Sequence, residues 1–75
     1  MDKPKEICLS IIERTKRDVL IPRYQKEISS FLKTDIFIYY CNTAELDIKK
    51  TTIEILKKGK LWVELKKAQK KWEDL

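Results

Sequence analysis

Seventy-five residues with 43% hydrophobic and 39% charged side chains predict one small folded domain over 1–75 and exclude several packed domains or a disordered tail. With no histidine and two cysteines, Cys8 and Cys41, a structural zinc site lacks its ligands; both thiols are expected buried and free, a single disulfide being the alternative. The net charge of +5 is unevenly placed: residues 1–48 balance eight Lys/Arg against eight Asp/Glu, whereas residues 49–71 carry nine lysines with only Glu54 and Glu64. That asymmetry points to an anionic partner, nucleic acid first. The N-terminal segment is too acidic for a signal peptide, and no apolar run approaches the roughly 18 residues that span a bilayer. A soluble, cytoplasmic protein is expected.

Asp2 can cap a helix with Pro4 in its first turn, where a missing N–H costs nothing. Ile7, Cys8, Ile11, Ile12, Thr15 and Val19 recur at helical spacing, which predicts a helix over about 3–20. Pro22 interrupts the pattern, yet Leu20, Tyr24, Ile28 and Phe31 keep the helical phase. Two helices are preferred to one kinked helix, the second over about 22–33.

The run Ile36-Phe37-Ile38-Tyr39-Tyr40-Cys41 is β-branched and aromatic, so propensity favours a strand. Asn42 and Glu45, three apart, form an N-cap pair that can open a further helix. Beyond Thr51 three readings stand: a hairpin turning at Gly59, a helix that Gly59 terminates, or a helix to Lys58 followed by a strand over 61–65. Leu61, Leu65, Ala68, Trp72 and Leu75 then recur at 4-3-4-3 spacing, and a helix is expected over at least 64–73. The expected fold is mainly α, a three- to four-helix domain with a short β element admitted near 36–41 and 61–65.

No enzyme signature is present: there is no histidine to move protons, no nucleophile motif, and no phosphate-cradling glycine loop. A non-catalytic protein is expected, with no cofactor, no metal and no small-molecule substrate. The stretch from Thr43 to Leu61 resembles the helix-turn-helix of small excisionase-like and MerR-like DNA-binding domains, over about a quarter of the chain. Leu46, Ile48, Ile53 and Leu56 stand where that motif places the apolar residues between its helices. Thr51-Thr52 would open the second helix, and Gly59-Lys60-Leu61 would leave it. The resemblance implies that Lys49, Lys50, Thr51 and Thr52 face the major groove or its phosphates. Asp47 stands at the motif's turn glycine, Thr43 rather than Ala44 lies four before it, and Glu54 would turn a negative charge toward DNA.

Lys57, Lys58 and Lys60, together with the i, i+4 pairs Lys66/Lys70 and Lys67/Lys71, complete the candidate nucleic-acid contacts, expected to share one solvent-facing surface. A solubilising face or a membrane-surface helix is the alternative use of those lysines. Trp62 points away from the Leu61–Leu65–Ala68 seam, so with Trp72 it marks a candidate protein interface unless the first helices cover it. The leading expectation is a small nucleic-acid-binding protein. The rival is an interaction module or inhibitor whose C-terminal amphipathic helix meets an acidic protein surface; a homodimer through the seam is one form of it.

Overall fold

The computed structural model describes residues 4–73, the side chains of residues 72 and 73 excepted. It contains α1 (Pro4–Asp18), α2 (Pro22–Phe31), α3 (Asp35–Thr43), α4 (Ile48–Lys58) and α5 (Trp62–Glu73). Among the described residues there is no strand, and no helix is long and apolar enough to cross a membrane. Asp2, named above as a cap, lies outside the described residues.

The first two helices follow the apolar spacing in part, Ile7 and Leu20 of the expected stripes being turned outward. Cys8, Ile12 and Thr15 turn inward along α1, and Val19 continues the stripe beyond its end. Pro22 stands at the start of α2, and Ile21 before it is held extended (φ −98°, ψ 114°), because a proline ring crowds helical backbone in its predecessor. The helices are therefore separate.

Residues 36–41 are helical, not a strand, and residues 61–65 are likewise no strand, because α5 already starts at Trp62. A strand must find a second strand for its N–H and C=O groups, whereas a helix pairs them internally. Thr34 starts α3: its hydroxyl donates to the Phe31 carbonyl at 2.7 Å and accepts from the Phe37 N–H at 3.3 Å. The helix buries Phe37 and Cys41, its C-cap Ala44 is also buried, and Ile36 and Tyr39 are left more than half exposed. Phe37 and Cys41 join Ile12, Val19, Ile28 and Ile55 in the core, around which Tyr24, Phe31, Leu32, Leu46 and Leu61 pack.

Two helices end in the same way. The Leu46 N–H donates to the Cys41 carbonyl (2.8 Å) and Glu45 to Asn42 (3.1 Å); the Leu61 N–H donates to Leu56 (2.9 Å) and Lys60 to Lys57 (3.0 Å). These are paired Schellman closures, each with a leucine placed over a buried residue of the last turn. Both require a left-handed residue, supplied by Glu45 (φ 58°) and Lys60 (φ 56°). Glu45 thus closes α3 rather than opening a helix with Asn42, and α4 is capped by Asp47, whose carboxylate accepts from the Lys50 N–H at 2.9 Å.

Gly59 ends α4 with φ −84°, so its lack of a side chain serves proximity and not handedness. Because left-handed backbone costs a side-chain-bearing residue about 1–2 kcal/mol, Lys60→Gly is expected to stabilise the domain by about 0.5–1 kcal/mol after the added unfolded-state entropy. Thermal denaturation followed by circular dichroism would then show a rise of a few degrees.

Candidate nucleic-acid interface

The α3–turn–α4 unit is built around Cys41, four residues before the left-handed Glu45. Fully buried, it lets the two helices approach, and the Thr51 hydroxyl hydrogen-bonds its thiol from α4. Burial, assisted by the nearby Asp47 carboxylate, pushes the thiol above its ordinary range, while the Thr51 bond partly opposes this. Cys8 is likewise buried, and both are free thiols. The turn itself is tied to α1 by an ion pair between Lys5 and Glu45.

Thr51 and Thr52, expected in the groove-facing set, are each only 5% exposed and form the rear of α4 with Ile55 and Leu56. A helix started by Asp47 turns positions 51, 52, 55 and 56 to one side, and the core lies there. The motif register suggested by sequence is therefore shifted: the left-handed turn residue is Glu45, not Asp47, and the small buried residue four before it is Cys41, not Thr43. The outward positions of α4 are Lys49, Lys50, Ile53, Glu54 and Lys57, of which Ile53 is half-buried.

Glu54 does not stand alone on that face. Its carboxylate lies 2.9 Å from the Lys16 ammonium of α1. The hydrogen bond between them, aided by their opposite charges, holds Glu54 below and Lys16 above their ordinary values. Lys57 and Lys58 border the same shallow depression, with Glu13 on its other wall.

The nine lysines do not share one face, because helical geometry divides them. Those of α4 lie on the outward face or beside α1. Lys60 is exposed in the left-handed turn. Lys66 and Lys70 project outward on α5, whereas Lys67 and Lys71 rim a groove between α5 and α2. Leu61 is half-buried and Leu65 buried, so the seam of α5 faces its own domain.

Trp62 and Val63 begin α5 at 56% and 69% exposure, so the first helices do not cover the tryptophan. Leu20 and Ile21, also exposed, follow Val19 in the α1–α2 turn, and that turn meets the α4–α5 turn through Gln25. The Gln25 amide donates to the carbonyls of Val19 (2.9 Å) and Gly59 (3.0 Å). No sequence signal announces this bridge, since Gln25 reads as an ordinary exposed helix residue. The side chain of Trp72 lies outside the described residues.

Comparison with protein families, with characterised proteins and with solved structures finds no match to this chain.

Proposed function

We propose that this is a small, non-catalytic nucleic-acid-binding protein that presents the outward face of α4 to a duplex. The observation that carries the reading is the arrangement of that helix. Its rear is packed, its start is capped by Asp47, and it follows α3 across a four-residue turn with a left-handed residue. That connection suits a helix-turn-helix, in which the second helix enters the major groove by its N-terminal residues. Lys49, Lys50 and Lys57 then supply phosphate contacts, and the Lys16 ammonium offsets the one carboxylate among them. With no arginine in α4 to read guanine bidentately, sequence discrimination is expected to be weak.

The test is a salt titration of binding to random duplex DNA, followed by fluorescence anisotropy. Affinity is expected to fall steeply with salt. The double charge reversal Lys50→Glu/Lys57→Glu should weaken binding across all sequences and reduce the logarithmic salt slope by about 2, near 0.9 for each lost phosphate contact. Undetectable binding at low salt would overturn the reading.

A second reading rests on Trp62 and Val63 at the start of α5 and on Leu20 and Ile21 in the α1–α2 turn, whose exposure is a feature of protein-binding surfaces. Lys58, Lys60 and Lys66 near that tryptophan in sequence suit an acidic partner. Loss of function in Trp62→Ala, with the α4 reversals silent, would favour this second reading.

A further inference from the structure

The groove between α5 and the α2–α4 side of the molecule has a volume of about 270 Å³. That is close to the lower end of the roughly 300–1,000 Å³ typical of small-molecule clefts. Its apolar lining comes from Leu32 at the end of α2, Ile38 of α3, Ile48 and Leu56 of α4 and Ala68 of α5, so it is no furrow along a single helix. Thr52 is the one hydroxyl from α4 among these walls.

The charged lining is unbalanced. Lys33, Lys67 and Lys71 stand against the single carboxylate of Glu64. Lys33 approaches Glu64, its Nζ lying 3.6 Å from Oε2, an oxygen that is buried and takes no hydrogen bond. One ammonium is thus offset. Lys67 and Lys71 have no ion pair among the described residues, and at i, i+4 spacing on α5 like charges repel one another. Helix stability does not favour this placement beside an apolar wall, whereas an anion seated between the two ammonium groups would relieve it.

We propose that this groove binds a small amphipathic anion, its head group held by Lys67 and Lys71 and its hydrocarbon body laid over Leu32, Ile38 and Leu56. Glu64 lies one turn of α5 from Lys67, about 4.5 Å of rise, and two turns from Lys71, about 10 Å, so the head group sits toward the Lys71 end while Lys33 offsets the carboxylate. The site uses the rear of α4 and one edge of α5, so it is separate from the outward face of α4 and does not depend on nucleic-acid binding.

Decanoate is a suitable probe, with decyltrimethylammonium as the cation of matched chain, both below their micelle concentrations. In methyl correlation spectra of the full chain, decanoate should produce saturable shifts at Leu32, Ile38, Ile48 and Leu56, and the cation should not. Lys67→Glu/Lys71→Glu should weaken decanoate binding by roughly tenfold or more and favour the cation instead. Ile38→Trp, which fills the groove from a position already 40% exposed, should abolish the saturable shifts with the helix content unchanged. Equal responses to both probes, shifts scattered away from the groove, or decanoate binding indifferent to the lysine reversals would overturn the proposal.

Discussion

Phe37→Ala is expected to remove about 3–5 kcal/mol of stability, the range for truncating a buried aromatic side chain. Phe37 is fully buried at the centre of the core, and its ring meets Phe31 edge-on, with 5.5 Å between centroids. A domain of this length has roughly 4–11 kcal/mol in total, so the variant should lose much of its cooperative unfolding transition. Urea denaturation followed by circular dichroism measures this directly. Phe37→Leu, which retains most of the volume, should cost less than about 1.5 kcal/mol. Equal losses in the two variants would show that filled volume is not what this position supplies.

Gly59→Ala should destabilise the domain by about 1–3 kcal/mol, although alanine is the better helix former. A β-carbon there would lie 2.5 Å from the Val19 Cγ2 methyl and 3.0 Å from the Val19 carbonyl oxygen. Val19 is fully buried and branched, and its carbonyl also accepts the Gln25 amide, so neither obstacle can swing aside cheaply. The double variant Val19→Ala/Gly59→Ala removes the methyl in conflict. Its loss should therefore be smaller than the sum of the two single losses, a coupling that a double-mutant cycle in urea resolves. Strict additivity would mean that the close approach of the two turns is not what demands glycine.

The same residue shows how differently sequence and packing speak. A lone glycine after Leu56-Lys57-Lys58 is open to a hairpin turn or a helix end in sequence; it ends α4, but the left-handed conformation falls to Lys60. Chain position marked a break, while the neighbour that excludes a side chain is distant in sequence and invisible to local rules. The turn before α4 behaves alike. Apolar spacing suggested a helix pair there, yet the left-handed residue is Glu45 rather than Asp47, and the small buried residue four before it is Cys41 rather than Thr43. Thr51 and Thr52 entered the candidate site as polar residues at a helix start. They are buried because they share one face of α4 with Ile55 and Leu56, and that face meets the core.

Periodicity by itself determined that the chain is helical at both ends, that Pro22 divides the first half, and that Leu61 and Leu65 face inward. Each of these follows from side chains a few residues apart, which the 3.6-residue repeat relates without help from the rest of the chain. Tertiary structure alone decided that residues 36–41 are helix rather than strand, since α5 already begins at Trp62 and the described residues hold no strand for them to join. It also decided the distribution of the lysines. A count of charge along the chain says nothing of azimuth, and the packing of α4 and α5 sends some ammonium groups to the outward face, some toward α1 and some to the rim of a groove.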